Sequence, residues 1–190
     1  MFKNKQRELS DEEIVRSIVE RKQHDDFGLL YDRYSEKVYH KCISFVKELS
    51  LAQDLTHDIF LKTFLNLSRF NHKSRFSTWL YSLTYNFCID YVRKNSKVKY
   101  EDDEQLVNIT DDQDDINEKE LLRLRSERLL HVLDLLAPGD KAILLMKYQD
   151  DMSIRDIEET MELSESAVKM RIARARAKAM EMYRQTYQDE

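Results

Sequence analysis

The fold is decided by one stretch near the end of the chain, Met152-Ser-Ile-Arg-Asp-Ile-Glu-Glu-Thr-Met-Glu-Leu-Ser-Glu-Ser-Ala-Val-Lys-Met-Arg-Ile-Ala-Arg-Ala-Arg-Ala-Lys-Ala-Met180. It predicts two helices joined by a tight turn. Ser153 and Ser164 are the expected N-caps, because a serine oxygen accepts hydrogen bonds from the free amides that begin a helix. Along the second helix an apolar residue recurs every three or four positions, which predicts one buried face: Val168, Ile172, Ala175 and Ala179.

The other side of this second helix is basic and carries small residues. A helix that enters a DNA major groove needs cations that reach base edges and small side chains that let the backbone come close. The residues with this pattern are Ser166, Lys169, Met170, Ala173 and Arg174, and Arg171 and Arg176 flank them as phosphate ligands. A solvated basic helix at the end of a bundle is the alternative. The short helix before the turn favours the helix-turn-helix interpretation.

Composition points to an all-α protein. The 190 residues include only two glycines and one proline, which tight β-turns use heavily. The longest apolar run has five residues (142–146), too few to span a membrane, and the N-terminus has no secretion signal, so we expect a cytoplasmic protein. Cys42 and Cys88 lie far apart in the chain and predict core thiols rather than a zinc site or a disulfide framework.

Charge is distributed unevenly along the chain. The segment 99–120 holds ten acidic and two basic residues, a net charge of −8, so the remainder carries +3 against the total of −5. This segment also lacks a helical period. We therefore predict a mildly basic body with two domains joined by a flexible acidic linker.

The N-terminal part predicts a domain of four helices. Capping-box signatures at Ser10–Glu13 and Ser50–Gln53 are expected to begin the first and third helices. The second and fourth helices are expected at about residues 25–47 and 77–94, and a polar, basic break separates the third from the fourth. The predicted divisions are residues 1–97 for this domain, 98–117 for the linker and 118–190 for the second domain, in which Asp140 is expected to cap a helix after Pro138.

The fourth helix and the break before it carry a second nucleic-acid pattern. Tyr81, Ser82 and Asn86 lie beside one another on a helix and follow a basic loop. Flat rings and amide groups next to cations are what unpaired bases need. The alternative is that the aromatic residues are core, which we favour for Trp79.

In order and spacing, these motifs resemble the extracytoplasmic-function (ECF) type of RNA polymerase sigma factor. The motifs are Asp54-Leu-Thr-His-Asp-Ile-Phe60, then Phe76-Ser-Thr-Trp-Leu-Tyr81 with Asn86 and Arg93, then the acidic segment, then the helix-turn-helix. The resemblance covers nearly the whole chain. It implies two helical domains, region 2 and region 4, and no catalytic residue, cofactor or metal.

The resemblance also assigns roles. Contact with the clamp helices of the polymerase largest subunit is implied for Asp54, His57, Asp58, Leu61 and Phe64, and the second domain would meet the flap of the second-largest subunit. Recognition and melting of the −10 promoter element are implied for Phe70, Lys73, Arg75, Tyr81, Ser82, Asn86 and Arg93. The −35 element would be read by the helix-turn-helix residues given above.

Implied partners are core RNA polymerase, double- and single-stranded promoter DNA and an anti-sigma factor. The acidic linker has two interpretations: a mimic of RNA charge in the polymerase channels, or a plain tether. The alternative function is a stand-alone helix-turn-helix transcriptional regulator, which would bind DNA tightly without polymerase. An all-helical enzyme is a third, disfavoured because the five histidines form no catalytic pattern.

Overall fold

The computed structural model of the chain describes residues 9–95 and 126–187. Within these ranges the protein is all-α, as predicted, and contains no strand. The helices of the first part are α1 (Asp11–Arg21), α2 (Phe27–Val46), α3 (Leu49–Asn66) and α4 (Phe76–Asn95). Those of the second part are α5 (Ser126–Leu135), α6 (Pro138–Leu144), α7 (Ile154–Met161) and α8 (Glu165–Tyr187). The predicted acidic linker lies outside the described residues.

The first domain is built around α2, which packs against both α3 and α4. Apolar side chains of these helices form its core, with Leu30, Val38, Ile59 and Leu80 almost completely buried. Burial of such side chains contributes about 1.5–3 kcal/mol each, before the entropy of ordering the chain is subtracted. A shared apolar core therefore holds this domain together.

Helix α1 begins at the predicted capping box. The amide of Glu13 donates to the Ser10 hydroxyl at 3.2 Å, and the amide of Ser10 donates to the Glu13 carboxylate at 2.7 Å. These hydrogen bonds lower the pKa of Glu13. An ion pair of 2.6 Å between Asp11 and Arg33 then ties α1 to α2.

The two cysteines lie in the first domain and are core thiols, as predicted. Cys42 on α2 and Cys88 on α4 are both free and fully buried, and their sulfurs are 3.9 Å apart. The hydrogen bond that the Cys88 thiol donates to Cys42, together with burial, raises the pKa of Cys88. Both residues thus belong to the packing between α2 and α4.

The second domain has the predicted helix-turn-helix. Ser153 caps α7 in a capping box with Asp156, and the Ser164 hydroxyl accepts from the Ala167 amide at 3.4 Å at the start of α8. The turn between the helices contains Glu162, whose φ of 55° is left-handed. The predicted apolar face of α8 is buried against the other helices of this domain.

Two predicted caps are wrong. Helix α3 begins at Leu49 with no side-chain cap, because the Ser50 hydroxyl donates to the carboxylate of Glu48 instead. Asp140 does not cap α6, which begins at Pro138 without a side-chain cap. The Asp140 carboxylate forms ion pairs with Arg171 and Lys178 of α8, so tertiary partners take the oxygens that a cap requires.

The two domains pack directly against each other, with α4 contacting both α6 and α7. Tyr85 and Ile89 of α4 are buried in the same apolar cluster as Val132 of α5 and Ala142 of α6. At the edge of this contact, Lys47 lies 2.7 Å from Asp134. In the described ranges no helix is both long and apolar enough to cross a lipid bilayer.

Candidate nucleic-acid interface

The loop before α4 presents cations to solvent. It follows a short 3-10 turn (Leu67–Arg69), and it is held by the Asn71 side chain, which accepts from the Lys73 amide at 3.1 Å. His72 has a φ of 57°, a left-handed conformation that sharpens the bend. Lys73 and Arg75 are exposed, which leaves both charges available to a phosphate backbone.

Phe70 does not lie on this exposed surface. It is only 6% exposed, and its ring packs 5.5 Å from that of Trp79 and 5.8 Å from that of Phe76. Phe70 was expected among the base-contacting residues because the family resemblance implies a role for it in −10 recognition. In the structure its role is to anchor that loop to the first core.

A cavity of about 280 Å³ opens beside this loop, between α4 and α7. Ser82 and Asn86 line this cavity. Trp79, which was expected in the core, also lines it. The Trp79 ring is half-buried and contributes both to the core of the first domain and to the cavity wall. Sequence reasoning also left Arg69 and Asn71 out of the site, although both belong to the polar break and both line the cavity. The opposite wall is formed by α7 of the second domain through Asp156, Glu159 and Thr160.

Tyr81 does not line this cavity; it lies on the part of α4 that faces α2, among charged groups. Burial, followed by the negative charges of Asp150 and Asp11, raises the pKa of Tyr81 to about 12. The ammonium group of Lys41 lies 4.3 Å from the centre of the Tyr81 ring. The phenol is therefore protonated near neutral pH and retains its proton for hydrogen bonding.

Helix α8 displays the predicted row of exposed residues. Ser166, Lys169, Met170 and Ala173 all lie on its solvent side. Lys169 pairs with Glu165 at 2.6 Å one turn earlier, which raises the pKa of Lys169 and lowers that of Glu165. The exposed row is basic, and the Glu165 carboxylate at its N-terminal end holds the Lys169 ammonium in an ion pair.

The arginines of α8 are less exposed than the sequence suggested. Arg171 lies with its Nε 3.4 Å from an Asp140 carboxylate oxygen and packs closely over Gly139. Arg174 and Arg176 are half-buried, and the Nε of Arg174 has no hydrogen-bond partner in the described part of the chain. Arg93, predicted for the −10 surface, is exposed at the end of α4.

A third surface lies on α3. Asp54, His57, Asp58 and Leu61 are exposed on the side opposite the core, as predicted, and the His57 ring stacks parallel to Tyr31 at 6.5 Å. Phe64 is half-buried, with its ring 5.1 Å from that of Phe27. Sequence reasoning missed Leu65, which is 69% exposed beside Leu61 at 60%. Neighbouring exposed leucines among acidic residues are typical of a protein-binding surface.

Comparison with known proteins identifies the family. The chain matches the family Sigma-70 region 2 over residues 30–98 and the family Sigma-70, region 4, over residues 126–178. It is 30% identical over 179 residues to the ECF RNA polymerase sigma-E factor of Haemophilus influenzae, covering 88% of this chain and 94% of that protein. It is 27% identical over 170 residues to the ECF RNA polymerase sigma factor SigW of Bacillus subtilis, covering 83% and 89%.

Solved structures share the fold. CnrH, in complex with the cytosolic domain of CnrY, superposes with a TM-score of 0.60 at 22% identity, covering 89% of this chain and 94% of that one. The sigma factor RpoE of Bartonella quintana, in complex with the anti-sigma factor NepR, gives 0.58 at 16% identity, covering 82% and 95%.

The chain matches two regions of one family in the expected order, and its relatives align over most of their length. These matches assign the chain to a family. The chain belongs to the ECF RNA polymerase sigma factors of the sigma-70 family, and it is a transcription initiation factor rather than an enzyme.

Proposed function

We propose that this sigma factor reads the −10 element of a promoter with the loop 70–75 and the exposed side of α4, here named the −10 surface. The observation that carries this proposal is the placement of Trp79, Ser82 and Asn86 on one side of α4, beside exposed Lys73 and Arg75. A flipped base needs a flat ring for stacking and an amide for its hydrogen-bonding edge. Stacking and hydrogen bonding offset the few kcal/mol that unstacking costs.

The exposed row of α8 is proposed to read the −35 element. Lys169 and Met170 extend from the helix where a major groove would lie, and Ala173 leaves room for close approach. Met170 has no strong hydrogen-bonding group, so its expected contact is with a thymine methyl. Arg171 and Arg176 are the proposed phosphate ligands, which requires Arg171 to exchange its Asp140 contact for a phosphate oxygen.

Core polymerase is proposed to bind α3 through Asp54, His57, Asp58, Leu61 and Phe64, by way of the clamp helices of its largest subunit. Leu65 extends this surface. The flap of the second-largest subunit is proposed to bind the second domain. In this arrangement residues 1–97 form region 2, residues 98–117 the linker and residues 118–190 region 4, and the protein acts in the cytoplasm with the polymerase.

An anti-sigma factor is the proposed regulator. The sigma factor RpoE of Bartonella quintana was solved with the anti-sigma factor NepR, and its fold is shared by this chain. A partner of that kind would cover exposed apolar side chains such as Leu61 and Leu65. The stand-alone regulator is not favoured, because the family match includes region 2 as well as the helix-turn-helix.

Run-off transcription with purified core polymerase tests the −10 assignment. Candidate promoters come from sequencing the transcripts that the wild-type protein directs from genomic DNA. We expect Asn86→Ala to reduce the run-off product about 10- to 100-fold, since one good base contact is worth about 1–3 kcal/mol. Asn95→Ala is the matched control, because it removes the same amide about two and a half turns later on α4 and should retain most of the activity.

Comparison of the two variants tests whether the loss of transcription is specific to the −10 surface. Asn86→Ala should bind core polymerase as tightly as the wild type, since α3 is untouched. Equal activity of Asn86→Ala and Asn95→Ala would refute the −10 assignment of this surface. Tight promoter binding by the protein without polymerase would instead support the stand-alone regulator.

A further inference from the structure

Two cations of α8 share one carboxylate inside the second domain. The Asp140 carboxylate of α6 lies 3.4 Å from the Arg171 Nε and 3.2 Å from the Lys178 ammonium nitrogen. Because positions 171 and 178 differ by about two turns of helix, both side chains lie on the same side of α8. A carboxylate presents two anionic oxygens, as a phosphate group does. Asp140 therefore offers these cations the kind of partner that a DNA backbone would offer.

The Asp140 carboxylate is sheltered from water, which makes its ion pairs more persistent than those on the helix surface. Its side chain is 13% exposed, whereas that of Glu165, which pairs with Lys169 on the same helix, is 63% exposed. Water and salt screen an exposed pair, so such a pair breaks at little cost. A sheltered carboxylate is poorly hydrated and costs more to leave unpaired. DNA must therefore compete with Asp140 for its two cations.

Gly139 allows Arg171 to reach Asp140. The guanidinium group packs so closely over this glycine that a Cβ atom at position 139 would lie 2.4 Å from the Nη2 and 3.3 Å from the Cζ of Arg171. Any other residue at this position would therefore displace the Arg171 side chain. Gly28, the other glycine of the chain, has open space where a Cβ atom would lie. The close approach of a cation is thus particular to position 139.

We propose that Asp140 is an internal competitor for DNA phosphate, a positioning residue that holds Arg171 and Lys178 on the protein. This proposal rests on the proposed −35 function of α8, in which Arg171 is a phosphate ligand, and it adds Lys178 as a second one. Phosphate contacts supply affinity for DNA of any sequence, whereas base contacts supply discrimination. Asp140 therefore reduces how tightly the second domain holds DNA without changing which sequence it prefers.

All the groups of this contact lie in one domain. Gly139 and Asp140 belong to α6, and Arg171 and Lys178 belong to α8, which packs against α6. The competition consequently does not require the two domains to touch, and it operates wherever the second domain meets DNA. The cations are able to leave Asp140, since the side chains of Arg171 and Lys178 are 27% and 43% exposed.

The salt dependence of DNA binding measures this competition. Each cation that joins a phosphate releases a counterion and steepens the plot of log binding constant against log salt concentration by about 0.9. The experiment follows the fluorescence anisotropy of a labelled random-sequence DNA duplex as full-length protein is added, at a series of KCl concentrations. We expect Asp140→Asn to steepen the slope by about 1–2 and to raise the affinity about 5- to 50-fold at about 0.1 M salt, because it releases two cations.

Gly139→Ala releases Arg171 without changing the net charge. The added Cβ atom meets only the far end of a flexible side chain, and alanine is a better helix former than glycine, so the variant should fold. We expect its slope to steepen by about 1, because one cation is released. Gly28→Ala makes the same substitution in open space and should leave the slope unchanged. Gly139→Ala also tests the contact if Asp140→Asn does not fold.

Glu181→Gln is the charge control for Asp140→Asn. It removes a carboxylate from α8 that accepts from the neutral Gln185 amide at 2.9 Å, so it reproduces any general effect of losing one negative charge. Adding Lys178→Gln to Asp140→Asn should make the slope shallower by about 1, because one of the two released cations is lost. This double variant tests the assignment of Lys178 as a phosphate ligand.

Equal slopes for the wild type, Asp140→Asn and Gly139→Ala would overturn the proposal. Equal gains from Asp140→Asn and Glu181→Gln would also overturn it, because the change would then reflect net charge alone. Run-off transcription with Lys169→Gln tests the proposed −35 function separately, since this variant leaves Asp140 and its cations in place; we expect less product. Wild-type transcription by Lys169→Gln would instead remove the −35 role of α8 and leave the measured slopes intact.

Discussion

Lys22 occupies a backbone conformation that usually belongs to glycine. Its φ is 57°, and it directly follows α1, where the Gln23 amide donates to the Ser17 carbonyl at 3.3 Å. This hydrogen bond closes a helix through a left-handed residue. The Cβ atom of any L-residue is crowded there at a cost of about 1–2 kcal/mol. A chain with only two glycines ends several helices in this way.

Replacing Lys22 should therefore stabilise the protein. We expect Lys22→Gly to raise the free energy of unfolding by about 0.5–1 kcal/mol, since the relief of crowding exceeds the added flexibility of the unfolded chain. Urea denaturation followed by circular dichroism measures the change. Lys22→Ala removes the same charge but keeps the Cβ atom, so it should bring no gain; equal gains for both variants would contradict the explanation.

At the scale of elements, α7 depends on its cap. It has eight residues, too few to be stable alone, and it begins with two reciprocal hydrogen bonds of 3.1 Å between Ser153 and Asp156. We expect Ser153→Ala to destabilise the second domain by about 1 kcal/mol. The midpoint of thermal denaturation measures this loss.

Ser164→Ala provides the comparison for α7. The amide that Ser164 caps lies farther away, at 3.4 Å, and α8 has 23 residues that pack along their length. The loss should be smaller than for Ser153→Ala. A larger loss from Ser164→Ala would contradict the expectation that α7 depends on its cap more than α8 does.

The elements themselves were largely predictable from the sequence, because helical periodicity and capping boxes are local signals. The capping box at Ser10 and the N-cap at Ser153 are confirmed. The box at Ser50 is wrong because a neighbouring carboxylate, Glu48, competes for its hydroxyl. Asp140 is not a cap because α6 already begins at Pro138, which places Asp140 inside the helix, where its carboxylate pairs with two cations of α8. Local sequence signals do not show which group a polar side chain will bind in the folded protein.

The candidate site was predictable only in part, for the same reason. The exposed row of α8 and the exposed face of α3 follow from periodicity, since each is the opposite side of a buried stripe. Phe70 is buried although the resemblance implies that it contacts bases, because a sequence motif does not show which way a ring points. The packing of the domains had no local signal, because Lys41 and Asp150, which form an ion pair between them, are 109 residues apart in the chain.

At the scale of the whole molecule, Asp134 makes the domain contact sensitive to acid. Partial burial opposes its ionisation, but hydrogen bonds from Lys141 and Lys47 outweigh burial and lower its pKa below the ordinary 3.8. A lowered carboxyl pKa stabilises the folded state above the ordinary value and loses that effect as the pH falls through the lowered one. The contribution of Asp134 is thus complete from pH 5 to 8 and disappears only below about pH 4.

Asp134→Asn tests this sign. Because the carboxylate is 31% exposed, the expected loss in unfolding free energy is modest, about 1 kcal/mol at neutral pH. The difference between wild type and variant, from urea denaturation at a series of pH values, should be constant from pH 5 to 8 and vanish in stronger acid. A difference that grows as the pH falls would refute this account of Asp134.

The exposed face of α3 has a consequence for the order of events in initiation. Asp54, His57, Asp58 and Leu61 remain open to solvent while Ser82 and Asn86 are engaged by Thr160. On the proposed assignment of this face, polymerase can therefore dock while the two domains are packed together, at a rate that rises with polymerase concentration. DNA meets only part of its proposed binding groups in the same way: Lys73, Arg75 and the exposed row of α8 are open to solvent, whereas Ser82 and Asn86 are engaged by Thr160. On the proposed assignment of these surfaces, docking of polymerase does not depend on separation of the two domains, whereas base contact by Ser82 and Asn86 does.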